Sequence, residues 1–309
     1  TTLDAASESL LQAAFGMTAA EAEPYIERIR LSLQSGQAYA IGVFDSQNTP
    51  CGLAYWRWVN TAQTFARVST IYTEPNVHPD LGAMLVTDLL RTLQGFPGIK
   101  AIEIQVRGDS PGVHDALIDH DLVFFERCQM MLPLTQMPLS DIVLPEGYSA
   151  TLWTDDQQEE VEQVALFAQQ DDIDSAAVPD AVGDELVETL RKLRSNEFPG
   201  MDHWLANASF VVRERRKGII GYIATIQVQN ICFVADMVVH PEHRRRGLAR
   251  SLMQRSMTAC LEDGFETAML AVTTRNPARH LYENLGFRPT DCSESAIWWY
   301  DERQMAWRQ

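Results

Sequence analysis

The stretch Asp236-Met237-Val238-Val239-His240-Pro241-Glu242-His243-Arg244-Arg245-Arg246-Gly247-Leu248-Ala249-Arg250 decides the fold. Its apolar start reads as a buried strand. Leu248, Leu252, Met253, Met257, Cys260 and Leu261 then share one face of a helix expected over 244–263 and stopped by Gly264. Between strand and helix lies a tight turn crowded with arginine. Cations near a helix N-terminus oppose the helix dipole by about 0.3 to 1 kcal/mol each, so helix stability does not account for four of them. An anion in the turn reverses that sign. The N–H groups of a first helical turn have no internal partner, and Gly247 and the small Ala249 let an anion approach them. The stretch reads as a diphosphate cradle on a strand-turn-helix unit.

Working outward, 210–213 and 219–227 read as a hairpin and 233–239 as the next strand. The apolar run 267–272 suits a buried strand, and a short helix follows over 277–285, ended by Gly286. The first half repeats this order. A hairpin is expected at 40–44 and 52–59, a strand at 67–73, a helix at 81–93 stopped by Gly95, and a strand at 99–106. A short helix after Pro111 and strands at 122–125 and 128–134 complete it. The expected fold class is α/β with a mixed sheet, in two tandem lobes. The Pro-containing stretch 135–147 lacks a clear period and reads as the join, giving lobes at 1–138 and 146–309.

Composition agrees with two cores. A chain of 309 residues exceeds the roughly 250 to 300 at which single cores stop growing, and 46% hydrophobic with 22% charged residues is ordinary for a packed fold. No apolar run reaches the roughly 18 residues a membrane span needs, and Thr1-Thr2-Leu3-Asp4 lacks a basic segment followed by an apolar one, so a cytoplasmic location and no membrane partner are expected. Cys51, Cys128, Cys232, Cys260 and Cys292 have no metal-ligand spacing and read as reduced, mostly buried thiols. A formal charge of -17 repels nucleic acid and favours a cationic partner.

At the turn the chain resembles the GNAT superfamily of acetyl-CoA-dependent N-acetyltransferases. Arg244-x-x-Gly247-x-Ala249 matches its signature, and Asn276, Leu281-Tyr282 and Gly286-Phe287 match its later elements. The resemblance is close over 146–309 and is one of element order alone before that; in length and layout the chain is similar to the tandem mycothiol synthases. It implies acetyl-CoA as co-substrate, no metal, and direct attack by a small-molecule amine, in a monomer or homodimer. The pantetheine arm is expected on the backbone of Met237, Val238 and Val239. The rest of the cofactor set is Arg244, Arg245, Arg246, Gly247, Leu248, Ala249, Arg250, Asn276 and Arg279.

Tyr282 is the candidate general acid, since a phenol near 10 can protonate a thiolate whose reference value is near 8.5. Its alternative is packing against the sheet. Asp236 is the candidate base for the acceptor amine, or else a hydrogen-bonded strand carboxylate. Asn276 before Pro277 also reads as an ordinary helix start, and His240 and His243 as surface or phosphate-neighbouring groups. A protein amine or carrier thiol as acceptor, or a non-catalytic acyl-CoA-binding module, stay open.

The first lobe reads as degenerate. Its cradle position is Pro79-Asp80-Leu81-Gly82-Ala83-Met84, with an acid where the second half has arginine, and Ile118 stands where Tyr282 stands. Tyr55-Trp56-Arg57-Trp58 reads as cross-strand packing. Asp171, Asp172, Asp174 and Asp180, inside 169–205, read as solvated loop or as a wall for a cationic acceptor.

Overall fold

The computed structural model describes residues 5–106, 109–137, 143–169, 172–179, 182–198 and 200–300. The chain opens with α1 (Ala5–Phe15) and α2 (Ala19–Gln34), then runs through β1 (Ala38–Phe44), β2 (Pro50–Trp58) and β3 (Phe65–Thr73) into α3 (Pro79–Gln94). It continues with β4 (Ala101–Val106), α4 (Val113–Asp119) and β5 (Val123–Pro133). The second half holds β6 (Tyr148–Leu152), α5 (Gln158–Ala168), α6 (Ile173–Ala177), α7 (Gly183–Arg194), β7 (His203–Trp204), β8 (Phe210–Glu214) and β9 (Gly218–Val228). It closes with β10 (Ile231–Val239), α8 (Leu248–Glu262), β11 (Thr267–Thr273), α9 (Ala278–Asn284) and β12 (Arg288–Trp299).

Backbone proximity divides this chain into two compact units, Thr1–Phe125 with Ser293–Gln309, and Glu126–Cys292. The division therefore falls inside β5 and inside β12, whereas the sequence reading placed the join at 135–147. Strand partners explain the difference. From Arg127 to Pro133, β5 pairs with β11, and from Ser295 to Trp299, β12 pairs with β4. The strands expected separately at 122–125 and 128–134 are one strand, β5.

In the first unit the sheet runs β1-β2-β3-β4 with the end of β12 beside β4. Leu85, Val86, Leu89, Leu90 and Leu93 recur at helical spacing on α3 and are buried against Ile71, Ile102 and Ile104 of that sheet. On β2, Trp56 stacks on Tyr39 of β1 with ring centroids 5.6 Å apart, the cross-strand packing expected of this aromatic run.

In the second unit the order is β5-β11-β10-β9-β8-β6, with β7 on β9. β9 is buried continuously from Ile219 to Ile226, as a central strand covered on both faces must be. α8 buries Leu248, Leu252, Met253, Met257 and Cys260 on one face, each large side chain contributing about 1.5 to 3 kcal/mol. It begins at Leu248 and not at 244. Arg245 and Gly247 sit at φ +62° and +80°, which no α-helix accommodates, so the chain turns through these residues before the helix starts.

The expectation of five free thiols is corrected. Cys128 on β5 and Cys292 on β12 form a disulfide within the second unit; Cys51, Cys232 and Cys260 are free and buried. Distant cysteines meet because the two strands carrying them run side by side. No helix among the described residues is long and apolar enough to cross a membrane.

Candidate active site

β10 pairs with β9 along its whole length, but an extra residue at Ala235 bulges the strand between Val234 and Asp236. On its other side the parallel ladder to β11 covers Cys232 to Val234 against Ala268 to Leu270 and then ends. Beyond the bulge the two strands part. One backbone edge of Met237, Val238 and Val239 is left without a ladder, which is what a chain running between the strands would need for hydrogen bonding.

The turn after Val239 holds its shape by its own bonds. His240 accepts from Glu242 N (3.3 Å), and Arg244 N donates to Pro241 O (3.2 Å). The Arg244 guanidinium donates to Val239 O (3.0 Å) and Ala168 O (3.2 Å), although the residue as a whole keeps exposed surface. It fastens the turn to the end of α5. Arg246 donates to the Tyr148 hydroxyl (2.8 Å) and to Glu242 O (3.3 Å). Arg245 and Arg250 are exposed. At the helix start the N–H groups of Leu248, Ala249 and Arg250 have no intrahelical acceptor. A Cβ built on Gly247 would meet nothing within 4 Å, so the turn is unobstructed beside that residue.

The four arginines thus split into two roles that the sequence did not separate: Arg244 and Arg246 tie the turn by hydrogen bonds, while Arg245 and Arg250 leave their charge at the surface.

His243 is buried rather than a surface group. It shares a hydrogen bond with Tyr148 (2.8 Å), and burial, then Lys217 and Arg246, push its pKa down. His240, Glu242 and His243 each bring a possible ligand atom within 4.8 Å of the others. Lys217 Nζ lies 2.7 Å from Glu242, however, so a cation would enter a neighbourhood already holding Lys217 and Arg246.

Asp236 lies just past the bulge. It keeps a small accessible face while its carboxyl is surrounded by protein. Burial pushes its pKa up to about 6; hydrogen bonds from Tyr222 and from Met237 N–H hold it back, and Asp172 and Asp174 push it further. Tyr282 on α9 is buried, with its phenol pushed up by burial and then by Asp174, Asp236 and Asp172. The charge of Asp236, far away in sequence, therefore reaches the Tyr282 phenol. The raised phenol stays protonated at neutral pH but is a weaker acid than its reference value suggests.

Asn276 serves the protein at both ends of its amide. Its oxygen accepts from Ala278 N (2.8 Å), starting α9, and its nitrogen donates to Asp174 (2.7 Å) and Asp172 (3.3 Å). Asp174 also accepts from Arg127 on β5 (3.1 Å) and from Thr273 N on β11 (3.2 Å). Asp172 and Asp174 are thus anchored at the site and are not solvated loop; Asp171 and Asp180 lie outside the described residues. Arg279 pairs with Glu283 (2.9 Å) along α9. Arg127 and Tyr222 are neighbours of Asp174 and Asp236 that sequence reasoning missed.

The first unit builds the same strand-turn-helix differently. Five residues, 74–78, join β3 to α3, against eight, 240–247, between β10 and α8. The β3 to β4 ladder resumes past its own irregularity at Ile71 and Val106. His78 accepts from Asp80 N (3.3 Å) at the N-cap of α3. A Cβ on Gly82 would lie 2.1 Å from Pro111 O, and one on Gly112 would lie 1.9 Å from Pro79 O. Here the chain's own backbone fills the space that is open in front of Gly247. Val77-His78-Pro79 and Val239-His240-Pro241 stand at the two turns, a repeat the sequence reading passed over.

Fold and site define a mixed-sheet α/β protein with a parted pair of parallel strands facing an amide-rich helix start. Residues 179–287 match the Acetyltransferase (GNAT) family, so the chain carries a GNAT acetyltransferase domain there. Peptidyl-lysine N-acetyltransferase YiaC of Escherichia coli (strain K12) is 32% identical over 105 residues, which are 34% of this chain and 63% of that protein. Spermidine N(1)-acetyltransferase of Vibrio cholerae serotype O1 is 34% identical over 89 residues, 28% of this chain and 51% of that protein. The chain thus spans less than two thirds of the length of each curated relative. A GCN5-related N-acetyltransferase from Sphaerobacter thermophilus superposes over 95% of this chain and 91% of its own, with a TM-score of 0.62 and 18% identity, a likeness of fold.

Proposed function

We propose that the unit Glu126–Cys292 binds acetyl-CoA and transfers its acetyl group to a primary amine of a small molecule, and that the other unit is a degenerate copy without a cofactor site. The observation that carries this is the open, arginine-flanked turn at Gly247 beside the unpaired edge of Met237 to Val239. Acetyl-CoA supplies an activated thioester. Residues of the chain do the rest. The amides of Leu248, Ala249 and Arg250 face the diphosphate, with Arg245 and Arg250 adding charge. Backbone groups of Met237 to Val239 align the pantetheine arm and offer an N–H where the thioester oxygen gains charge.

Asp236 accepts the proton that the attacking amine must lose. With a pKa near 6 it is ionised at pH 7 and still basic enough to share a proton, the compromise a general base needs. Tyr282 donates to the departing sulfur. Its raised pKa keeps the proton available there, and hydrogen bonding to the thiolate is its main contribution. Asp172 and Asp174 hold negative charge around Tyr282 and Asp236, which supports a cationic acceptor. The names of both curated relatives refer to amines, a peptide lysine and spermidine.

The test is thiol release from acetyl-CoA in the presence of polyamines, aminosugars and lysine peptides. Release stimulated by one amine class is expected. Binding of acetyl-CoA with no release for any amine would reduce the domain to a cofactor-binding module.

A further inference from the structure

A β-bulge re-aims the side chains beside it, and Asp236, paired with Ala224, is the first residue past the extra Ala235. Its carboxyl finds a partner on the neighbouring strand. Tyr222 on β9 is fully buried, stands opposite Val238 in the ladder, and directs its hydroxyl to Asp236 Oδ2 as a donor. The tyrosine ring is itself fixed. Trp153 packs against it at 5.3 Å between centroids, Trp204 packs edge-on against Trp153 at 5.2 Å, and the Arg194 guanidinium lies 5.2 Å from the Trp153 ring.

The match is one of need on both sides. A buried phenol left without an acceptor, or a buried carboxylate without a donor, is strongly unfavourable, and each group supplies what the other lacks. We infer that Tyr222 is the positioning residue for Asp236: its hydroxyl fixes the carboxylate in one orientation beyond the bulge and stabilises its charged, proton-accepting form. The inference rests on the reading of Asp236 as the base.

Other groups act on the same carboxylate. Met237 N–H donates to it, Asp172 and Asp174 oppose its charge, and Tyr282 lies within their field. Arg127 and Arg244 act on Asp172 and moderate that opposition. None of them replaces the Tyr222 hydroxyl. Burial and the nearby Asp236 push the Tyr222 phenol well above its ordinary value, so it remains a donor throughout the working range.

The experiment is a pH titration of the Asp236 carboxyl by 13C NMR in full-length protein labelled at aspartate, with the signal assigned by its loss in Asp236→Asn. Tyr222→Phe removes only the hydroxyl, and should move the titration upward by roughly one to two pH units. The acidic limb of kcat/KM for the best amine should move with it. A 3-fluorotyrosine at position 222, a stronger donor, should move both downward, and it serves if the phenylalanine variant folds poorly. A Tyr222→Phe protein whose titration and acidic limb stay in place overturns the inference alone. Full-rate Asp236→Asn enzyme overturns the base assignment and the inference with it.

Discussion

Replacing Gly247 with alanine should weaken acetyl-CoA binding about tenfold or more while leaving the fold nearly intact, and the same change at Gly82 should do the reverse. At Gly247 the added methyl meets nothing within 4 Å of the protein, so no packing is disturbed. The penalty there is conformational. A residue with a Cβ at φ +80° costs about 1 to 2 kcal/mol, offset by about 0.4 to 1 kcal/mol from the stiffer unfolded chain, for a net loss near 1 kcal/mol. The methyl also stands in the space assigned to the diphosphate, and a loss of about 1.4 kcal/mol in binding is the tenfold change. At Gly82 the methyl would lie 2.1 Å from Pro111 O, a clash with backbone that side-chain rotation cannot relieve. Overpacking of this kind costs about 1 to 3 kcal/mol, partly offset by about 1 kcal/mol of helix propensity. Calorimetric titration with acetyl-CoA, paired with urea titrations followed by tryptophan fluorescence, separates the two effects. Equal loss of acetyl-CoA affinity in both variants, or unchanged affinity in Gly247→Ala, would refute the assignment of the cofactor to the second unit.

Tyr282→Phe should lower kcat by roughly 10²-fold or more while changing acetyl-CoA affinity little, measured by thiol release and calorimetry; an unchanged kcat would make Tyr282 a packing residue. Asp236 also predicts a pH dependence of stability. Its carboxyl is raised from 3.8 to about 6, so the native state binds the proton more tightly than the unfolded chain, and the stability this gives is present at low pH and lost as pH rises through about 6. Asp236→Asn should therefore gain on the wild type by about 1 kcal/mol between pH 5 and pH 7.5; parallel urea-midpoint curves would contradict the burial argument. Thiol counting in denaturant without reductant should find Cys51, Cys232 and Cys260 reactive, with Cys128 and Cys292 appearing only after reduction.

The parts of this protein that the sequence discloses are those decided locally. The face of α8 follows from Leu248, Leu252, Met253 and Met257 at helical spacing, and the turn from a glycine among arginines. Its starting residue was missed because Arg245 takes a left-handed conformation that composition does not announce. Partners across the sheet are a different matter. Apolar residues mark β5 as strand, while the polar first half of β12 announces nothing, and neither carries information about which strand it joins, so the unit boundary and the Cys128–Cys292 bond were both hidden. Tyr222 was hidden for the same reason: within Gly221-Tyr222-Ile223 it is one more apolar strand residue until Asp236 is placed beside it.

The two strand-turn-helix segments show what maintaining a binding site demands of a fold. In the first unit every local demand is met from within: the ladder resumes, His78 caps the helix, and glycines at 82 and 112 close backbone onto backbone. In the second unit His240 makes the corresponding bond to Glu242 N, but the other demands stay unmet. The ladder breaks at Ala235, a non-glycine residue is held left-handed at 245, and amides at 248 to 250 lack intrahelical acceptors beside exposed cations. Each of these features is unfavourable in isolation, by roughly 1 to 3 kcal/mol for backbone strain. On the proposed function, an anion bound at the turn and a chain laid along the parted edge would relieve several of them together. Strain held at one turn and relaxed at the other is what a single retained cofactor site, and one freed from that constraint, would leave in the fold.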